Sequence, residues 1–347
     1  MDFIDTFEKR CKDLTSEWQI NEEYVLYNFH NLYNPKLVKT DNIEYPYYLY
    51  FFGESEEQFN PRFKGSDAIF LARGKNLDNW EVWSGEDCWD TTMNCKLWKP
   101  ILTAGDEDFD NCHAGDPSVV YNESMFYISY SAVGFSYIKE IDKYIIINNV
   151  MGAKSNDGIH WEKSKTPLLI WEKEYEQRWI AGEPMPKGTG SYHRPSLMFD
   201  DGKWKMWFDY YLPGTFLSMG YAENEGEFLK QDDWKIISCN YNPQLKDWPN
   251  PTVVKAGDIY YSFCDAPGFD TKTGPHRQIV MASSKDGINW MIEGRIIPCP
   301  GYGTHVPEAA VLEEEGGYWL CVFYSWQDEN CFPNYTKINY MKKFIEK

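Results

Sequence analysis

Residues 116–132 read DPSVVYNESMFYISYSA, and four other stretches of the chain follow the same plan. A short apolar run opens on a proline, a polar turn follows, and an alternating aromatic strand ends in small or polar residues. The other copies are NPKLVKTDNIEYPYYLYFFGE from Asn34, RPSLMFDDGKWKMWFDYY from Arg194, NPTVVKAGDIYYSFCDAPG from Asn250 and VPEAAVLEEEGGYWLCVFYSW from Val306. Their prolines stand at 35, 117, 195, 251 and 307, spaced 82, 78, 56 and 56 residues apart. A self-similar unit of this size, made of short strands, is the mark of a propeller blade that cannot bury its faces without its neighbours. Five copies predict an all-β, five-bladed β-propeller occupying residues 1–347 as one domain, with blades opening near 34, 116, 194, 250 and 306.

A second repeat fixes where each blade ends. Ser155-Asn-Asp157-Gly158-Ile-His-Trp161 and Ser284-Lys-Asp286-Gly287-Ile-Asn-Trp290 share the pattern SxDGIxW. Asp-Gly supplies a tight turn with positive φ, and the tryptophan starts an outer strand. From opening proline to this tryptophan the distance is 45, 44, 39 and 39 residues in blades one to four. These boxes read as structural turns.

The fifth blade ends at Lys347 without a Trp-led outer strand. Trp18–Ile20 or Tyr24–Phe29 is expected to supply it, closing the ring with an amino-terminal strand and covering an exposed sheet edge. Ahead of it, Phe3, Ile4, Phe7, Cys11 and Leu14 fall at helical spacing and predict a short helix over residues 2–14. Long insertions, Ser84–Gly115 and Leu168–His193, are placed to build the rim of a site.

Charge narrows the range of partners. The net charge of −19, from 53 acidic and 34 basic residues, opposes a phosphate backbone, so nucleic acid is not an expected partner. No apolar run is long enough to predict a membrane-spanning helix. The first residues, MDFIDTFEKRCKDL, lack the apolar core of a secretory signal. Nine cysteines without metal spacing read as reduced thiols, and together these features predict a cytoplasmic protein. The oligomeric state stays open. Aromatics make up 17% of the chain, which suits packed strand faces and also a pocket where sugars stack on indoles.

The xDPSVV openings, the strands ending YSA or FDYY and the S-x-DG-x-x-W turns resemble the five-bladed propeller glycosidases. That group includes arabinanases and xylosidases of glycoside hydrolase family 43, the invertase and levansucrase branches and the mannoside phosphorylases. The resemblance covers roughly residues 18–345. It implies two Asp and one Glu on successive blades as base, tuning acid and general acid, because a glycosidic oxygen must be protonated while the opposite face is attacked. Asp116 matches a funnel Asp, as base or tuning carboxylate. Blade one carries Asn34 where the base is expected, and blade three opens with His193-Arg194 where the Glu is expected. Glu183 in AGEPMP, or else Glu308, is then the candidate proton donor. Candidate sugar contacts are His193, Arg194, Asp209, Trp248, Asp265, His305 and Trp179. The substrate expected is an oligosaccharide or glycoside, with no required cofactor. A structural calcium ion in the funnel is allowed by converging carboxylates, though no ligand spacing demonstrates one. Two other readings stand beside hydrolysis: a non-catalytic carbohydrate-binding propeller, and phosphorolysis or glycosyl transfer with His193 and Arg194 holding phosphate.

Overall fold

In the second blade, Glu123 and Ser124 both take left-handed backbone and join His113–Asn122 to Met125–Ile138 through a two-residue hairpin. Such a turn matches the right-handed twist of its flanking strands. The computed structural model describes residues 12–54, 67–105, 109–138, 142–170, 191–211, 218–238, 248–270, 274–297, 304–326 and 337–347.

These segments form five sheets, antiparallel but for one two-residue pairing at the outer edge of blade four. Their innermost strands are His30–Lys39, His113–Asn122, Ser191–Asp200, Thr252–Ala256 and Thr304–Glu314. Each innermost strand touches the next, and the fifth touches the first. The chain is an all-β five-bladed propeller. Behind each innermost strand lie a second and a third strand in chain order.

Five apolar clusters hold the blades together, one at each interface. Tyr48, Tyr50, Phe52 and Ile69 of blade one meet Val119, Phe126, Ile128 and Met151 of blade two. Val150 and Leu168 meet Trp204 and Met206 across the next interface, and Trp207 and Tyr221 meet Val253 and Cys264 across the third. Phe263 and Ile279 meet Val322 and Tyr324, while Phe323 and Tyr340 join Leu49 and Phe51 where the ring returns to blade one. Alternation along each second strand lets both faces be buried at once. That explains the aromatic richness without recourse to ligands.

The SxDGIxW turns are docking points between blades. The Asp157 carboxylate accepts from the backbone N–H groups of Ile159 and His160 at 2.8 Å each, and Asp286 repeats the arrangement. Tyr50 of blade one donates its hydroxyl to the Gly158 carbonyl at 3.2 Å, and the Trp207 indole donates to the Gly287 carbonyl at 2.7 Å. Gly287 has φ +75° and lies so near Trp207 that a β-carbon there would meet the indole at 2.8 Å.

The amino terminus departs from expectation. No helix is seen over the described part of residues 2–14, of which 2–11 lie outside the described residues. Lys12–Asp13 instead pairs parallel with Gly294–Arg295 on the outer edge of blade four, and Thr15–Glu17 makes one 3-10 turn. The open sheet edge offers these backbone groups partners that an isolated short helix would lack. The single closing strand is likewise replaced by two separate two-residue segments. Gln19–Ile20 pairs with Met341–Lys342, and Leu26–Tyr27 pairs with Lys337–Ile338. Between them the Asn21 amide donates to the Glu23 carbonyl at 2.8 Å, a local turn that interrupts the strand.

Candidate functional site

The residue before each anchoring proline sits in left-handed backbone: Asn34 at φ 42°, Asp116 at 47°, Arg194 at 48°, Asn250 at 52° and Val306 at 45°. Asn and Asp tolerate this region, whereas an arginine and above all a β-branched valine there are strained. Pairing with the second strand slips at the same place in blades one, two, three and five. A bulge of this kind bends the strand and re-aims its side chains. The five left-handed residues, four of them at such a bulge, make a ring at the upstream ends of the innermost strands.

Neighbouring blades clasp this ring. Arg194 donates its backbone N–H to Ser131 Oγ at 2.7 Å, Asn250 donates to both carboxylate oxygens of Asp209 at 3.1 and 3.3 Å, and Val306 donates to Asp265 Oδ2 at 3.3 Å. The Asn250 amide also donates to Asp265. Asp209 and Asp265, candidate sugar contacts in the sequence, are therefore buried and engaged between blades.

Two residues further along, a second belt follows. The N–H groups of Leu197, Val253 and Ala309 donate to Ser118 Oγ, Ser196 Oγ and Thr252 Oγ1 at 2.8, 2.8 and 3.0 Å. Glu308 occupies this same position in blade five. It pairs with Lys36 of blade one at 3.3 Å and accepts from Thr252 Oγ1 at 2.9 Å and the Asn34 amide at 3.3 Å. Burial raises its carboxyl above the ordinary value, partly offset by Lys36, Thr252 and Asn34. The structure thus places Glu308 in an inter-blade clasp.

A group of buried and half-buried titratable side chains gathers where blades two and three meet beside blade one. Asp116 is buried, with His193 Nδ1 3.8 Å from its Oδ2. Burial alone would raise its carboxyl, but His193, Arg194 and His113, with the Ser131 hydroxyl, bring it below the ordinary value. Burial also lowers His193 to about 3, so that imidazole is neutral near pH 7 and Arg194 is the lasting cation beside Asp116. Arg194 pairs with Asp209 Oδ2 at 3.1 Å, and burial pushes Asp209 up to about 7 against the pull of Arg194 and the Asn250 N–H. Three of the five ring residues carry a buried polar atom without a hydrogen-bond partner among the described residues: Asn34 Oδ1, Arg194 Nε and Asn250 Oδ1. Buried polar atoms are seldom left unpaired.

His113 joins this group, and the sequence reading missed it. Strict alternation would put His113 and Asp116 on opposite faces of their strand. The left-handed turn at Asp116 and the register slip beside it bring them together. His113 Nδ1 lies 2.9 Å from the Asp67 carboxylate of blade one. His113, Asp116 and His193 each offer a ligand atom within 4.8 Å of the others. Two imidazoles and one carboxylate are a poor match to calcium, which takes six to eight oxygens, so the calcium expectation does not fit these residues.

The remaining candidates fall elsewhere. Trp248 is fully buried in the core and donates its indole N–H to Ser262 Oγ at 3.0 Å, so it is a packing residue here. The backbone of His305 pairs with Ser325, and its side chain is outside the described residues. Trp179 and Glu183 also lie outside them. Downstream of the prolines all five innermost strands enclose an axial cavity of about 480 Å³. Of its three lysines, Lys36 and Lys255 are paired with Glu308 and Asp200, and Lys39 lines it beside them.

Solved structures share this architecture. The chain superposes on Zg3597, a family 117 glycoside hydrolase from the marine bacterium Zobellia galactanivorans, with TM-score 0.57 and 13% identity over 94% of this chain and 90% of that one. A thermostable family-43 glycoside hydrolase gives 0.55 and 16% over 93% and 92%, and a Cellvibrio cellulosa α-L-arabinanase gives 0.53 and 14% over 89% and 90%. The fold is that of the five-bladed propeller glycoside hydrolases. No known family profile matches the sequence. One curated protein, a phenylalanine–tRNA ligase α subunit from Beijerinckia indica, is 26% identical over 174 residues, 46% of this chain, which spans 44% of that protein's length. Among the described residues no helix is long and apolar enough to cross a membrane. Within the propeller glycoside hydrolase fold, Asp116 is the one carboxylate among the five pre-proline positions.

Proposed function

We propose that the chain hydrolyses a glycosidic bond of an oligosaccharide or glycoside at the upstream mouth of its ring, with inversion. The observation that carries this is the ring itself, where Asp116 stands among residues whose buried polar atoms, Asn34 Oδ1, Arg194 Nε and Asn250 Oδ1, have no hydrogen-bond partner among the described residues. Sugar hydroxyls, each a donor and an acceptor, suit such atoms. In this reading Asp116 takes the proton of the attacking water, and His193 and Arg194 hold sugar hydroxyls. Glu308 is engaged in its clasp, so Glu183 is assigned the proton that the leaving oxygen receives. Among the described residues Cys88, Cys112 and Cys321 are free thiols, and we place the protein in a reducing, cytoplasmic compartment accordingly.

A second reading draws on the same ring. Asn34 and Arg194 occupy positions where a three-carboxylate machine would hold two more acids, which favours glycan binding without turnover or transfer to phosphate held by Arg194. Turnover of a panel of aryl glycosides, with and without inorganic phosphate, separates the three. Hydrolysis predicts phosphate-independent release, with Asp116→Asn lowering it about 10²–10⁴-fold at an unchanged melting temperature. Full activity in that variant would remove Asp116 from the reaction.

A further inference from the structure

We infer that His113, Asp116 and His193 form a binding site for one divalent transition-metal ion of the zinc class, built across blades one, two and three. The three ligand atoms already lie within 4.8 Å of one another, and a shift of about an ångström in each side chain brings them to the spacing of donors about 2 Å from a shared ion. The two imidazoles lie nearly parallel, 25° apart with ring centres separated by 6.4 Å.

What sets this cluster apart from a chance grouping is the support behind it. Histidines that hold metals characteristically direct their other ring nitrogen to a carboxylate, which fixes the tautomer and raises the basicity of the ligating nitrogen. Asp67 does this for His113, 2.9 Å from Nδ1, which leaves Nε2 to carry the lone pair. Gly115 permits the ring to lie across its own strand, since a β-carbon there would stand 2.7 Å from that Nε2. Asp116 supplies the anionic donor, and the neighbouring Arg194 has its charge balanced by Asp209. Imidazole nitrogens with one carboxylate favour zinc, nickel, iron or copper over calcium and magnesium. Three protein donors leave a position for water or a ligand oxygen, the arrangement of open zinc sites.

The inference concerns binding and does not rest on the hydrolytic reading, whose base Asp116 and sugar contact His193 are engaged by the ion while it is bound. Full-length protein stripped by a chelator is titrated with Zn²⁺ by calorimetry and with Co²⁺ by visible absorption. One ion per chain is expected, with a Co²⁺ spectrum of low-symmetry nitrogen and oxygen coordination. His113→Ala with His193→Ala should abolish that equivalent, and Asp67→Asn, which leaves all three ligands in place, should weaken it about 10–100-fold. Circular dichroism of the metal-free variants checks that the fold is kept, and Asp67→Asn alone decides the matter if the double variant does not fold. No stoichiometric binding, or equal affinity in Asp67→Asn, overturns the site. Stoichiometric uptake retained without both histidines assigns the ion to cysteines or the surface and overturns it as well. Glycoside turnover by chelated protein would leave hydrolysis standing whichever way the titration falls.

Discussion

The interface between blades two and three and the interface between blades five and one use the same backbone device for opposite ends. Both pair a left-handed pre-proline residue with a polar residue two places on. At five and one, Glu308 is held in a buried clasp by Lys36, the Asn34 amide N–H group and, from blade four, the Thr252 hydroxyl. At two and three, the second-layer position is a plain Ser118, and Asp116, His193 and Arg194 keep their polar atoms near the mouth. The difference teaches that charge in this ring serves cohesion where its partners are inside the blades and chemistry where they are not. A charge can be assigned to one or the other by asking what its removal does to stability.

The largest effect is expected at the closed interface. Lys36→Met leaves Glu308 buried without its cation and should destabilise the protein by about 3–5 kcal/mol in chemical denaturation. Adding Glu308→Leu should restore most of that loss, because an apolar pair removes both desolvation penalties. If the single variant unfolds at the parent's midpoint, the clasp is not a cohesive element and Glu308 returns as a catalytic candidate. A middle-sized effect is expected from Asn34→Asp, which puts back the acid that the glycosidase resemblance expects. Its carboxylate would face the Glu308 oxygen that Asn34 now serves at 3.3 Å, so about 1–3 kcal/mol of stability should be lost. A gain in glycoside turnover without that loss would break the contrast between the two interfaces.

The smallest effect belongs to the box turns, which supply an uncharged-by-function baseline. Asp286→Ala should cost about 1 kcal/mol, measured as the difference in unfolding free energy at pH 7. Burial alone would raise Asp286, but the N–H groups of Asn289 and Ile288 and the side chains of Asn289 and Ser284 bring it to about 2. A carboxyl depressed in the folded state stabilises above its unfolded value, near 3.9, and loses that contribution as pH falls through the folded value. Parent and variant should therefore converge between about pH 4 and pH 2. A difference as large at pH 2 as at pH 7 would mean that the turn is held by shape and not by its ionised carboxylate.

Much of the architecture could be read from residue order. The proline openings and SxDGIxW boxes placed five blades and most second and third strands, since turn chemistry and alternation are local properties. The innermost strands begin several residues before their prolines, as His113 and Ser191 show, because pairing resumes upstream of the bulge. The site was less legible for the same reason. Asp116, His193 and Arg194 stand out as candidates because they flank a proline. His113 was missed because its distance of three residues from Asp116 has the wrong parity for a straight strand. Glu308, Asp209 and Asp265 read as funnel groups because nothing local tells a mouth-facing acid from one facing the next blade. The short helix was expected from spacing alone, and the edge of blade four took Lys12–Asp13 instead.

The left-handed ring has a consequence for how such a protein changes. Val306, Arg194, Asn34, Asn250 and Asp116 share one backbone shape although their side chains have little in common. The proline is common to all five, a bulge accompanies it in four blades, and a neighbouring blade grips the backbone N–H of Arg194, Asn250 and Val306. The mouth therefore behaves as five fixed sockets around a hub, whose fittings can be exchanged singly while the wheel keeps turning true.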